Sequence, residues 1–207
     1  MRTKIVLMAL AALMVVGIAQ ANLVPNAGFE DGAGTVPDAW IIESGDTKIT
    51  WSDEANTGIK SMLLTGTGGK PEAVIVSADR IAVTAGTEYT FIANVKSLNG
   101  GAVSGLNLRV KWFDAADNYV NWPDGGGWSG WNWFAINAGA DWTEETALTI
   151  AAPAGAVNIE HALVYSWKGD AGDGVYVDDV SMTAVPEPMT LGLLGLGALM
   201  IRRKRKA

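Results

Sequence analysis

Cysteine is absent from the 207 residues of this chain, and histidine occurs once, at position 161. Without cysteine, no disulfide can stabilise the fold and no thiolate is available for catalysis or metal binding. A single histidine cannot build a zinc site from several imidazoles, and a Ser-His-Asp triad would have to use His161 itself. Because His161 alternates with Ile159 and Leu163, we expect a hydrogen-bonded histidine in the core of a strand.

Positive charge is scarce between residues 22 and 184, where eight Lys or Arg stand against twenty-one Asp or Glu, a net charge of −13. The whole chain carries only −7, because seven of the basic residues lie in its first few and last few positions. A region this acidic is a poor partner for nucleic acid or anionic lipid. It is well suited to a cation such as calcium, which binds oxygen ligands.

The first residues have the pattern of an export signal. Arg2 and Lys4 precede an uncharged run over residues 5–18, and Ala19-Gln20-Ala21 has the small-x-small form that signal peptidase cleaves. The sequence therefore predicts a signal peptide over residues 1–21 and a mature chain that begins at Asn22. Residues 22–184 then make one domain, long enough to bury a single core.

The last residues, 185–207, have a second pattern. Pro186, Glu187 and Pro188 precede a run of thirteen mostly apolar residues from Met189 to Ile201, and five basic residues follow. A helix of this length spans about 20 Å, so flanking residues and tilt must help it to cross a hydrocarbon core of about 30 Å. The basic end is expected to stay on the cytoplasmic side.

This order of motif, apolar helix and basic end resembles the PEP-CTERM sorting signals of Gram-negative bacteria. The resemblance implies an exosortase as processing partner, cleavage near the Pro-Glu-Pro motif, and a transient anchor in the inner membrane. It also implies a final location at the cell surface or outside the cell, often in bacteria that produce exopolysaccharide. The alternative is an ordinary tail anchor.

Between the two signals, apolar residues alternate with polar ones in short runs, which is the period of a half-buried strand. The clearest runs, Glu88–Lys96 and Gly105–Phe113, are predicted to be central strands, with Arg109 and Lys111 on a solvated outer face. Further strands are predicted at Trp40–Glu43, Lys48–Trp51, Ser61–Thr65, Ala73–Val76, Thr146–Ala151, Val157–Tyr165 and Gly174–Met182. Roughly ten short strands without an amphipathic helix predict an all-β jelly-roll sandwich of two packed antiparallel sheets, which resembles the galactose-binding-like fold.

Both ends of this domain carry distinctive residues. Positions 22–30 read Asn-Leu-Val-Pro-Asn-Ala-Gly-Phe-Glu, a Trp follows a Pro-containing loop at position 40, and positions 176–180 read Tyr-Val-Asp-Asp-Val. Together they resemble the CenC-type carbohydrate-binding modules of families 4 and 9. The resemblance implies that the first and last strands lie side by side.

In that family a structural calcium commonly bridges these two strands, and the positions that match its ligands are Glu30, Asp178 and Asp179. Calcium takes six to eight oxygen ligands. Successive strand residues face opposite sides, so one of Asp178 and Asp179 is expected to be the ligand. The alternative is that all three acids are solvated residues of turns and strand ends.

Tryptophan is abundant, with nine in the chain and five of them from Trp122 to Trp142. Residues 119–134 mix rings with Pro123 and three consecutive glycines, which predicts a long surface loop or an open hairpin at one rim. Aromatic planes can stack on the apolar faces of sugar rings, while amides and carboxylates bind the hydroxyls. The predicted ligand-binding residues are Tyr119, Trp122, Asp124, Trp128, Trp131, Asn132 and Trp133. Alternatively, some of these rings fold inward to close the sandwich.

The sequence thus predicts an exported, non-catalytic protein that binds extracellular polysaccharide and holds a structural calcium. A second interpretation is a structural or adhesive protein of the surface or biofilm matrix, whose Trp-rich patch meets another protein or a second copy. A third is a glycoside hydrolase, which needs only two carboxylates. No motif singles out such a pair.

Overall fold

The computed structural model of the protein describes residues 21–66, 72–120, 131–165 and 172–186. These ranges contain eleven strands and one turn of 3-10 helix, Asp46–Lys48. The strands are β1 (Trp40–Ser44), β2 (Ile49–Ser52), β3 (Ser61–Thr65), β4 (Ala73–Ser77), β5 (Ile81–Ala82), β6 (Glu88–Ser97), β7 (Val103–Phe113), β8 (Trp131–Ala138), β9 (Thr143–Ala151), β10 (Asn158–Tyr165) and β11 (Gly174–Ala184).

Most of the predicted signal peptide and nearly all of the predicted sorting segment, including Glu187 and Pro188, lie outside the described residues. Both remain predictions. The part of the chain that the structure describes contains no helix long and apolar enough to cross a membrane.

The strands form two antiparallel sheets. Sheet A has the order β1-β4-β10-β7-β8, with β5 beside β10, and sheet B has the order β2-β3-β11-β6-β9. One cluster of buried apolar side chains, drawn from both sheets, fills the space between them. The predicted all-β sandwich is therefore confirmed.

Strand β6 shows how the sequence pattern builds the core. Tyr89, Phe91, Ala93 and Val95 are all buried, while the residues between them are partly exposed. Apolar side chains at every second position of a strand fall on one face, so this face is removed from water as a unit. The alternation predicted for this strand is confirmed.

Strand β7 differs, because both of its faces are covered. Leu108 and Val110 lie in the core as predicted, but Arg109 and Lys111 on the opposite face are only 3% and 4% exposed. The predicted solvated outer face is therefore wrong for these two cations. Carboxylates from neighbouring strands fold over them, as described below.

The predicted loop over residues 119–134 is wrong in its last part, because Trp131 begins β8. This strand pairs antiparallel with β7. Trp131 is the register partner of Lys111 at one end, and Ala138 is the partner of Val103 at the other. From residue 131 the chain contains aromatic and alternating residues that favour a strand, and it finds the edge of the long β7. The short β5 was not predicted, because two residues are too few to show an alternation of apolar and polar side chains.

The N-terminal motif serves the core and its turns. Phe29 is fully buried, and its ring lies 4.8 Å from that of Trp40. Asn26 bonds the main chain of Asp31 and Asp38 through its side-chain amide. Its own carbonyl accepts the indole N–H of Trp40. The Asn and Phe of the motif thus fix the turn that leads into β1.

His161, on β10, is fully buried as predicted, with its ring in a T-shaped contact with Trp40 at 5.0 Å. Among the described residues neither ring nitrogen has a hydrogen-bond partner, so the predicted hydrogen bond is wrong. The ring faces the apolar core, where its register partner on β7 is Val110. Burial disfavours the imidazolium and lowers the pKa of His161 to about 4.

Stability is expected to fall as the pH drops from about 6.5 towards about 4, because His161 binds a proton more readily in the unfolded chain. A pKa difference of this size corresponds to about 3 kcal/mol of unfolding free energy. His161→Leu should remove this part of the pH dependence. Urea unfolding of both proteins at several pH values measures it. If the gap between the two proteins were constant from pH 4 to 7, the account of His161 would be wrong.

Candidate functional site

The outer face of sheet A, the side turned away from sheet B, carries a cluster of charged side chains. On β7 it is formed by alternate residues from Asn107 to Phe113. Their register partners on β10 run from Val164 to Asn158 and include Glu160 opposite Lys111. Val74 and Val76 of β4 are also buried and form a small apolar cluster of their own.

Four side chains on this face form an ion-paired network. The Lys111 ammonium lies 2.6 Å from a carboxylate oxygen of Glu160 and 3.3 Å from one of Glu43. The Arg109 guanidinium also contacts Glu43. Glu43 stands where the register of β1 shifts, and β4 and β10 separate it from β7. The network therefore ties the two sides of the sheet together across the strands between them.

The network presents its acidic members to solvent. The side chains of Arg109 and Lys111 are nearly buried, whereas those of Glu43 and Glu160 are 39% and 18% exposed. Burial of Glu43 favours its neutral form, but the hydrogen bonds and charges of the two cations outweigh burial and hold its pKa below the usual 4.5. What this face offers to a ligand is carboxylate oxygens, which accept hydrogen bonds.

This pairing bears on catalysis. Glu43 and Glu160 contact the same ammonium, so the face does hold two neighbouring carboxylates, the minimum for a glycoside hydrolase. A hydrolase requires one of the two to have a raised pKa, so that it can donate a proton. The pKa of Glu43 is lowered instead, and its partner cations leave it suited to binding rather than to acid catalysis.

An aromatic stack marks one end of this face. Tyr119 is 50% exposed, and its ring lies 5.0 Å from the buried ring of Phe113. The Arg80 guanidinium lies 3.3 Å over the ring of Phe113 and also pairs with Asp117. Tyr119 was predicted from the sequence, but its supports, Phe113 and Arg80, were not. No sequence spacing links them, because Arg80 lies in the turn between β4 and β5 whereas Phe113 ends β7.

The edge strand β8 brings two predicted aromatic positions to the network. In register, Trp131 is opposite Lys111, Trp133 is opposite Arg109, and Asn132 is opposite Val110. Trp122, Asp124 and Trp128 lie outside the described residues. None of these seven site assignments has been tested by ligand binding, and they remain predictions.

The three acids predicted to hold calcium meet at another place, the loop over residues 53–60. Asp178 is fully buried and accepts main-chain N–H groups from Asn56, at 2.7 Å, and Thr57, at 3.1 Å. Its other oxygen accepts the N–H of Asp179 at 2.7 Å. Burial raises the pKa of Asp178, although these hydrogen bonds oppose the rise. Asp178 is thus not the solvated residue of the alternative interpretation.

The other two carboxylates bind the same loop. The two oxygens of Asp179 accept the side-chain amide of Asn56 and the hydroxyl of Thr57. Glu30 accepts the main-chain N–H groups of Ile59 and Lys60, at 3.0 to 3.1 Å. The loop is therefore held by carboxylates from both ends of the domain.

These residues do not fit a calcium ion as they are placed. All six carboxylate oxygens of Glu30, Asp178 and Asp179 accept an N–H or O–H group. Within the described ranges, no group of three or more acidic or histidine side chains is arranged to hold a metal. Calcium in this protein stays a prediction of the family resemblance.

Comparison with solved structures finds similar folds in several carbohydrate-binding modules. The match to a family 16 carbohydrate-binding module covers 78% of this chain and 99% of the module, with a TM-score of 0.50 and 21% identity. The CBM22-1 xylan-binding domain of Paenibacillus barcinonensis Xyn10C covers 83% and 99%, with a TM-score of 0.54 and 15% identity. At these identities the likeness is one of fold, and it confirms the expected module-like sandwich.

The enzymatically active domain of tailspike protein 4 from bacteriophage CBA120 is also similar, with a TM-score of 0.57 and 17% identity. That match covers 79% of this chain, but this chain spans only 21% of the tailspike chain. No protein-family model matches the sequence, and the search of curated proteins gives no match.

The buried pair Lys111 and Glu160 is expected to contribute more to stability than an exposed pair. Removing one partner leaves the other charged and buried, which costs more than losing a solvated contact. In a double-mutant cycle with Lys111→Met and Glu160→Gln, urea unfolding should give a coupling energy of about 1–3 kcal/mol.

Lys60 and Asp53 provide the matched control, because they pair at the same 2.6 Å but Asp53 is 90% exposed. Their cycle, with Lys60→Met and Asp53→Asn, should give less than about 1 kcal/mol. Equal coupling energies in the two cycles would show that the buried pair on sheet A stabilises the fold no more than an exposed pair does.

Proposed function

We propose that this protein is an exported, non-catalytic polysaccharide-binding protein that binds its ligand on the outer face of sheet A. The observation that carries the proposal is the register of β8 on β7, which sets the Trp131 and Trp133 positions opposite Lys111 and Arg109. Directly opposed positions of an antiparallel pair share a face. Aromatic positions and a charged network are thus neighbours on one surface.

The chemistry of this surface suits a sugar chain. A pyranose ring has an apolar C–H face, which stacks on an aromatic plane, and an edge of hydroxyls, which needs hydrogen-bond partners. Tyr119 offers an exposed plane at the end of β7, and the register puts two tryptophan positions, 131 and 133, along the neighbouring edge strand. The partly exposed carboxylates of Glu43 and Glu160 offer acceptors beside them.

The structural comparisons support a binding role. Two of the matches that cover 99% of their own chains are a family 16 carbohydrate-binding module and a domain described as xylan-binding. Binding without catalysis also agrees with the ionised state of Glu43. A hydrolase would require a protonated carboxyl on this face.

Export and sorting complete the proposal. The signal peptide at the start and the PEP-CTERM-like segment at the end would deliver the domain to the cell surface or beyond, with an exosortase and a signal peptidase as processing partners. There it would meet extracellular polysaccharide, including the cell's own exopolysaccharide. A matrix protein that binds protein through the same aromatic patch is the second candidate, and the first experiment separates the two.

Truncating the aromatic positions should abolish binding to polysaccharide. We expect that immobilised xylan, cellulose or host exopolysaccharide retains the protein, and that Trp131→Ala with Trp133→Ala lowers the affinity at least tenfold. Tyr119→Ala should lower it less, because Tyr119 lies at the end of the face. Affinity electrophoresis and pull-down measure these effects.

Trp142→Ala is the matched control, since Trp142 packs beside Tyr176 of sheet B, in ring contact at 6.3 Å. It should bind like the wild type. Loss of binding in this control but not in the Trp131 and Trp133 variant would move the site to the other sheet. A well-folded wild type that binds no polysaccharide but assembles with itself would favour the matrix protein.

The face should prefer neutral glycans to anionic ones. The more exposed members of its ion-paired network are the carboxylates, and residues 22–184 carry a net charge of −13, so a uronate or sulfate group would be repelled. Binding to a neutral glycan should change little between 50 and 500 mM salt, whereas any weak binding of polygalacturonate should respond to salt. Affinity electrophoresis at both ionic strengths tests this. Tighter binding of the polyanion at low salt would contradict it.

A further inference from the structure

The loop over residues 53–60 is the point where the two ends of the domain meet. Glu30 reaches it from the N-terminal segment, and Asp178 and Asp179 reach it from β11. Asn56 and Asp178 are 122 residues apart in the chain. The contacts at this loop therefore close the fold over a very long separation in sequence.

The donors at this loop are aimed at anions. Four main-chain N–H groups, those of residues 56, 57, 59 and 60, bond carboxylate oxygens of Glu30 and Asp178. Consecutive N–H groups that converge in a turn present partial positive charge and make a concave site for an anion. A calcium ion requires the opposite arrangement, six to eight oxygens whose lone pairs point to one centre.

The main-chain conformation of the loop also favours binding a carboxylate. Gly58 has φ +65°, and a Cβ at this position would collide with the carboxylate of Glu30. A glycine there lets the main chain wrap closely around that carboxylate. Asp178 is fully buried, and its carboxylate accepts hydrogen bonds from the main-chain N–H groups of Asn56 and Thr57. Each acid thus has a fitted place in the loop rather than a place beside an ion.

Further bonds between the two ends lie next to this loop. The Asn22 side chain accepts the main-chain N–H of Met182 and donates to the carbonyl of Val180. The N–H of Val180 in turn donates to the carbonyl of Ala27 at 2.9 Å. The first described residues are therefore joined to β11 by main-chain and amide contacts that involve no cation.

We infer that this chain joins its two ends through direct carboxylate–amide hydrogen bonds at the loop over residues 53–60, in place of the shared calcium that the CenC resemblance implies. Glu30, Asp178 and Asp179 are then positioning residues for the loop and not metal ligands. This inference is independent of polysaccharide binding.

The test measures thermal unfolding of the full-length chain, purified in a mild non-ionic detergent, in 2 mM EDTA and in 5 mM calcium chloride. The midpoint should be the same in both, because an ion that does not bind the folded state cannot stabilise it. Glu30→Gln and Asp178→Asn should lower the midpoint by roughly 5 °C or more under both conditions. Asp79→Asn, at an exposed residue between β4 and β5, is the control and should leave the midpoint unchanged.

Amide hydrogen exchange gives a second readout. In EDTA, the N–H groups of Asn56, Thr57, Ile59 and Lys60 should be protected in the wild type, and Glu30→Gln should expose the last two. A calcium-dependent rise in the midpoint that either acid variant abolishes would overturn the inference. Protection of these amides that appears only with calcium would overturn it too. If Asp178→Asn fails to fold, the more exposed Glu30 still decides the question.

Discussion

The fold of sheet A depends on the pairing of two cations that its own strands bury. Arg109 and Lys111 are nearly sealed on the outer face of β7, and a charge in that position is stable only when carboxylates meet it. Glu43 comes from β1 and Glu160 from β10, so satisfying the two cations fixes three strands relative to one another. The edge strand β8 pairs with β7 on the side away from β10, and its register sets the Trp131 and Trp133 positions opposite the two cations.

The two groups of acids in the domain have different partners and different consequences. On sheet A, carboxylates meet side-chain cations and keep exposed edges that can accept hydroxyl groups. At the loop over residues 53–60, carboxylates meet main-chain amides, and Asp178 among them is fully buried. The first group is suited to a ligand, and the second to closing the chain. With this division, a strongly acidic, cysteine-free domain uses some carboxylates to stabilise its fold and keeps others partly exposed on sheet A.

Much of this fold was predictable, because it rests on local patterns. The alternation in Glu88–Lys96 and Gly105–Phe113 predicted two central strands, and the motifs at both ends predicted that Glu30 and Asp178 would lie together. The ion network was not predictable, since Glu43 and Arg109 are 66 residues apart and no spacing connects them. Strand β8 was missed because glycine and proline precede it closely. His161 was placed in the core, but its lack of a hydrogen-bond partner depends on which side chains surround it.

The most direct test of the account is an amide NMR titration of the folded domain with a neutral oligosaccharide that the protein retains on a column. We expect the shifts to change along β7 and β8, around Tyr119, and at Glu43 and Glu160, while sheet B and the loop over residues 53–60 stay unchanged. Changes confined to sheet B, or no change anywhere at saturating sugar, would show that the outer face of sheet A is not the binding surface.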